Sequence, residues 1–99
     1  VARMCSEQPA RRFGLYPRKG SLDIGADADL TIVDMRKSAT LTRANMHSRS
    51  GHTSWEGIEV QGMPVHTLVR GEPVVLDGVV VGKPGHGRFV PGQAAPARR

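Results

Sequence analysis

Ninety-nine residues, 38% hydrophobic and 4% aromatic, set a limit of one domain with a modest core. The single cysteine, Cys5, excludes an internal disulfide and a cysteine metal cluster, and fits a reducing, cytoplasmic setting. No apolar run approaches the roughly 18 residues of a membrane span, and no signal-peptide hydrophobic region follows Val1.

The net charge of +5 raises nucleic acid as a partner, but the cations collect at the two ends. Residues 1–20 hold five Lys/Arg against one acid, residues 21–77 five against eight, and residues 78–99 four against none. With one Trp, one Tyr and two Phe available to stack on bases, this reads as solvated ends around an acidic sheet. A small basic module holding nucleic acid or an acidic partner through Arg11, Arg12, Arg18, Lys19 and the tail is therefore the lesser reading.

Val1 stands where an initiator methionine is absent, and Val1, Met4 and Cys5 fall at helical spacing. The chain thus reads as a fragment that enters a helix part way along. Gln8-Pro9 predicts an interruption of that helix, since the residue before proline is pushed out of the α region. Pro9 then starts a short second turn through Phe13, which Gly14 closes in the left-handed conformation. Leu15-Tyr16-Pro17 leads through a basic elbow, Arg18-Lys19-Gly20, into the stretch Lys19 to Met35 around which the rest is organised. There Leu22 and Ile24 alternate with Ser21 and Asp23, and Ala28, Leu30 and Ile32 alternate with Asp29, Thr31 and Val33. Two strands joined at Gly25-Ala26 follow from that period.

Residues 36–57 read mostly as loop. Trp55-Glu56-Gly57 opens a new alternation on Ile58 and Val60, Gly62-Met63-Pro64 breaks it, and Val65 to Arg70 resumes as strand. Gly71-Glu72-Pro73 turns into Val74 to Leu76, and Asp77-Gly78 signals a type I′ hairpin returning through Val79 to Val81. From Gly82 the chain is Gly-, Pro- and Arg/Lys-rich and reads as an extended tail anchored by Phe89 and Val90. The sum is a mainly β fold, five or six short strands after a short N-terminal helix.

Chemistry is sparse. His47, His52, His66 and His86 show no HxxxH, HExxH or His-x-His spacing, so surface or loop packing is the favoured reading. Asp27 and Asp29 project to one face of an extended segment, as a carboxylate pair for acid–base work or a cation requires. The favoured alternative is that Asp27 caps the turn after Gly25 while Asp29 marks the solvent face. Ser48, Ser50 and Ser54 lack a nucleophile elbow, and Gly82 to Gly87 lacks the order of a phosphate loop. The residues alone give a β-rich domain with no complete catalytic set.

Gln8-Pro9-Ala10-Arg11, Phe13-Gly14-Leu15-Tyr16-Pro17-Arg18-Lys19-Gly20 and Gly25-Ala26-Asp27-Ala28-Asp29-Leu30 resemble the C-terminal part of the cyclic amidohydrolases: dihydropyrimidinase or hydantoinase, dihydroorotase and allantoinase. The likeness continues through His47-Ser48, Trp55 to Val65, Val69-Arg70-Gly71-Glu72 and Asp77-Gly78, and closes with Gly82 to Val90. K-G-x-x-x-x-G-A-D-A-D-L is shared across the wider amidohydrolase superfamily, and the E-G and G-x-G-R-F elements narrow it to the cyclic amide group. Ser54-Trp55 stands where hydantoinases tend to show Tyr before the Glu and the others Pro-Phe or Pro-Tyr. His47 to Gly51 leans toward dihydroorotase or allantoinase while the G-H-G-R-F ending leans toward hydantoinase, so the subfamily stays open.

The resemblance implies a metal-dependent hydrolase that opens cyclic amide, imide or ureide rings, built on a (β/α)₈ barrel with two divalent metals. The family's His-x-His is not in this sequence, and none of Lys19, Lys37 and Lys83 stands in the context of its carboxylated lysine. No catalytic, metal-binding or substrate-binding residue carries over. What carries over is a structural motif: Gly20, Gly25, Asp27, Asp29, Glu56, Gly57, Gly71 and Gly78. On this reading residues 1–15 are the last helical segment of a barrel, residues 16–81 part of a β-sandwich and residues 82–99 a basic tail. The expected partners are the remainder of the same polypeptide and further copies of it in a homo-oligomer, with neither membrane nor nucleic acid.

Overall fold

The computed structural model describes residues 1–93. Arg3–Glu7 is π-helical and passes directly into an α-helix, α1, at Gln8–Arg12. Gln8 stays helical at φ −64 and ψ −45, so the expected interruption at Gln8-Pro9 is absent. Proline lacks an N–H and its ring presses on the carbonyl four residues back. The wider π pattern, with Gln8 N–H donating to Arg3 O, makes room for that ring without ending the helix. The end of α1 is as the sequence indicates. Leu15 N–H donates to Ala10 O at 2.8 Å and Gly14 N–H to Arg11 O at 3.4 Å, with Gly14 at φ +72, the Schellman arrangement.

A cis Tyr16–Pro17 peptide begins the elbow. Residues 21–26 then form turns rather than the expected first strand. Ser21 Oγ accepts the Asp23 N–H at 3.0 Å, and Ala26 N–H donates to Asp23 O at 3.0 Å. Among the described residues no strand lies beside this segment to pair with it, and Leu22 and Ile24 alternate but project to solvent.

Among the described residues four strands make one antiparallel sheet in the order β1-β2-β3-β4: Leu30–Thr40, Glu59–Val69, Glu72–Leu76 and Val79–Val80. The expectation of five or six short strands is corrected at two places. β1 extends to Thr40, through residues read as loop, because Asp34 pairs with Met63 and Ser38 with Gln61. Met35, Arg36 and Lys37 therefore bulge opposite Gly62, with Arg36 N–H held by Asp34 Oδ1 at 3.0 Å, and the bulge destroys the period-2 signal. β2 runs unbroken through Gly62-Met63-Pro64. At Pro64 it has β1 on one side and, among the described residues, no strand paired on the other, since β3 pairs only as far as Thr67, and such a locally open strand tolerates a residue without an N–H. The Asp77-Gly78 hairpin forms as expected, both residues at positive φ, 49 and 76.

Among the described residues Ala10 alone is buried, while Ile32, Val33, Met35, Leu76 and Val79 are all exposed. The accessible surface is 8504 Å², against about 5,500 Å² for a folded monomer of this mass. The radius of gyration is 16.1 Å, against about 13 Å for a compact chain of this length. The sheet is thus formed but uncovered. Of the tail, His86 and Val90 are half-buried and Phe89 is exposed, so Phe89 is not the anchor it was expected to be. Gln93 N–H instead ties the tail to Gly14 O at 2.9 Å. The rest of the tail reading, residues 94–99, lies outside the described residues.

Candidate functional site

The densest polar construction lies where the helix meets the sheet. Gly20, at φ +77, is pressed against the helix: a Cβ there would stand 2.7 Å from Ala10 Cβ and 2.8 Å from Ser6 O. Only glycine fits that backbone and that gap. This seats the elbow so that Lys19 Nζ reaches both Asp27 Oδ2, at 2.8 Å, and Asp29 Oδ2. Arg18 Nε donates to the same Asp27 oxygen at 2.8 Å, and Asp27 N–H donates to Arg18 O at 3.0 Å.

Asp29 extends the construction to the turn that follows β2, the strand beside it. Its Oδ1 accepts the Arg70 N–H at 2.9 Å, and Gly71 N–H donates to Ala28 O at 2.9 Å. Arg70, in the left-handed conformation at φ 51, then reaches the tail. Its Nη2 donates to His86 O at 2.5 Å and to His86 Nδ1 at 3.2 Å, while His86 Nε2 donates to Val69 O at 2.8 Å. Helix, elbow, the Asp27–Asp29 segment, the β2–β3 turn and the tail are thereby fastened in series.

The charges are mutually satisfied. Hydrogen bonds from Lys19 first, then Arg18, hold the Asp27 carboxyl below the usual carboxylate range. Desolvation pushes Asp29 upward, but the hydrogen bonds from Lys19 and the Arg70 N–H outweigh it and its carboxyl also ends below that range. Hydrogen bonds to Asp27 and then Asp29 raise Lys19 above the ordinary lysine value. The lone pairs of both carboxylates are engaged by the Lys19 ammonium, the Arg18 guanidinium and the Arg70 N–H, an arrangement that serves an internal ion pair rather than proton transfer to a substrate. Beside the expectation that Asp27 caps the turn after Gly25 through its own backbone, its side chain forms the ion pair with Lys19 and Arg18.

Of the eight motif residues, Gly20, Asp27, Asp29 and Gly71 converge on this junction. Gly25 lies in the preceding turn with open space around it. Glu56 and Gly57 act elsewhere: Glu56 Oε2 accepts the Arg43 N–H and Gly57 N–H donates to Leu41 O, each at 2.8 Å, closing the loop between β1 and β2. Gly78 closes the β3–β4 hairpin, its N–H on Val65 O at 3.0 Å. His66 accepts the Asp77 N–H through Nδ1 at 3.1 Å. Arg70 and His86, which sequence reading did not single out together, complete the network. An open cleft of about 1000 Å³ lies between the helix and β1, lined by Ser6, Ala10, Leu15, Leu22, Leu30 and Ile32 among others.

The class of protein is a hydrolase family: residues 1–74 match the amidohydrolase family, and the chain belongs to it. A D-phenylhydantoinase of Escherichia coli is 44% identical over 87 residues, 88% of this chain and 19% of that protein. D-hydantoinase from Bacillus sp. AR9 superposes with a TM-score of 0.88 at 36% identity, over 93% of this chain and 20% of that one. Dihydropyrimidinase from Brevibacillus agri NCHU1002 does so with a TM-score of 0.84 at 33% identity, over 92% and 20%. The chain spans about a fifth of the length of the relatives it matches.

The family is generally metal-dependent, and the described residues of this chain do not fit a metal ion. Among those described, no three His, Cys, Asp or Glu side chains converge on one point. The carboxylate oxygens of Asp27 and Asp29 are turned to the Lys19 ammonium and the Arg18 guanidinium, the place a cation would take. Among the described residues no helix is long and apolar enough to cross a membrane.

Proposed function

We propose that this chain is the scaffold segment of a hydrolase of the hydantoinase–dihydropyrimidinase type, which opens cyclic amide rings with two divalent metals and catalytic groups supplied from outside these residues. The observation that carries this is the pairing of near-complete coverage of the chain by hydantoinase relatives with a polar centre whose acids are all committed to internal cations. Residues 1–15 serve as the last helical segment of the barrel, residues 16–81 as part of a β-sandwich and residues 82–99 as a basic Gly/Pro-rich tail, which lies over the body or reaches a neighbouring subunit. The uncovered sheet and the apolar cleft receive the remainder of the same polypeptide, and the intact enzyme is a cytoplasmic homo-oligomer.

A nucleic-acid module is the weaker reading, because the elbow cations have internal partners. Arg11 pairs with Glu7 at 2.9 Å and lies 3.8 Å over the Tyr16 ring, and Arg18 and Lys19 hold Asp27. The test is hydrolysis of hydantoin, dihydrouracil, dihydroorotate and allantoin by the 99 residues with added zinc or manganese. No turnover is expected, and measurable ring opening would overturn the assignment of chemistry to groups outside the chain.

A further inference from the structure

We propose that the junction of the helix end with the tail, Arg12-Phe13 and Arg88-Phe89, is a subunit contact that docks on an acidic surface of a second copy of this chain. The inference rests on the homo-oligomer of the proposed function and names its contact. Both phenylalanines of the sequence are exposed, Phe13 at 70% and Phe89 at 91%, and the fold brings their segments together. Gln93 N–H donates to Gly14 O at 2.9 Å, and a Cβ on Gly92 would overlap Phe13 O. Phe89 stands three residues before Gly92, at most about 11 Å of chain from that contact.

The tail is braced on both sides of Phe89. His86 O accepts from Arg70 Nη2 at 2.5 Å and His86 Nε2 donates to Val69 O at 2.8 Å, while beyond Phe89 Val90 is half-buried and Gln93 is held on Gly14. An exposed aromatic whose backbone is already fixed loses little further freedom on binding, the property of an interface anchor. Neither phenylalanine lines the apolar cleft between the helix and β1, so the junction is a separate surface. Charge names its occupant. From Gln8 to Leu22 and from Lys83 to Gln93 the chain holds Arg11, Arg12, Arg18, Lys19, Lys83 and Arg88 and no acid. Among the described residues Arg12, Lys83 and Arg88 form no salt bridge. The complement lies on the sheet, where Asp34 of β1, Glu59 of β2 and Glu72 of β3 are exposed and, among the described residues, also form none. In a two-fold pair each copy offers its junction to the other's acids, so the contact is made twice and closes.

The test is the subunit dissociation constant of the polypeptide of the whole reading frame that encodes this chain, measured by analytical ultracentrifugation at about 50 mM and about 500 mM salt. The contact predicts a wild-type oligomer that weakens at the higher salt. Phe89→Ser should raise the dissociation constant at least about thirtyfold, the loss of an aromatic anchor, and Arg88→Glu should raise it at low salt. Val80→Ser, on the exposed β3–β4 hairpin, should leave it unchanged. A wild-type monomer, or a dissociation constant unmoved by Phe89→Ser, would overturn the proposal. Hydantoin ring opening with zinc, followed in the same samples, reads the scaffold assignment separately. An active monomer refutes the contact alone, and an inactive oligomer that dissociates in Phe89→Ser refutes the assignment alone.

Discussion

Substituting Gly20 by alanine tests whether the elbow is truly wedged against the helix. Two costs act together at this position. An L-residue at φ +77 carries about 1–2 kcal/mol of left-handed strain. The new Cβ also meets Ala10 Cβ at 2.7 Å and Ser6 O at 2.8 Å, and since the second is backbone inside the helix it cannot swing aside, which adds about 1–3 kcal/mol of overpacking. The sum is about 2–5 kcal/mol. Gly25→Ala is the control, because Gly25 is also left-handed, at φ +100, but has no atom within 4 Å of its Cβ position; it should cost about 1–2 kcal/mol. Native-state hydrogen exchange in the full-length protein reads both, at the Leu15 and Tyr16 amides on Ala10 O and the Asp27 amide on Arg18 O. Equal destabilisation by the two substitutions would refute the wedge.

The pH response of the junction follows from its three shifted groups. Asp27 and Asp29 are lowered, so their contribution is present above the unfolded carboxylate value of about 3.9 and is lost as pH falls through their folded values. Lys19 is raised, so its contribution is present below about 10.4 and is lost as pH rises through its folded value. Protection of the Asp27 amide should therefore be level between roughly pH 5 and 9 and fall on both sides, and Lys19→Met should flatten the alkaline fall and weaken the acid one. At the hairpin, Asp77→Val places a β-branched residue at φ 49 and should cost about 1–2 kcal/mol, while Asp77→Gly should stay within about 0.5 kcal/mol. Exchange at the Val81 amide, bonded to Val74 O at 2.8 Å, reports both.

Features governed by neighbouring residues were legible in the sequence. Gly14 ends α1 and Asp77-Gly78 turns the last hairpin because each needs only local conformation. The period-2 rule failed at Leu22 and Ile24, where alternation is present but, among the described residues, no partner strand is. It failed in the opposite sense at Met35-Arg36-Lys37, where a bulge hides a strand. Gln8-Pro9 misled because a shift in hydrogen-bond register absorbs the ring. Asp27 and Asp29 were visible as a pair, but their cations come from an elbow eight to ten residues earlier. Arg70 and His86 lie sixteen residues apart in a turn and a glycine-rich tail, and no spacing rule links such positions.

The most direct measurement compares hydantoin ring opening, in the presence of zinc, by the polypeptide of the whole reading frame that encodes this chain and by the 99 residues alone. A scaffold segment predicts turnover by the former and none by the latter. Ring opening by the 99 residues, or none by the whole polypeptide, would contradict it.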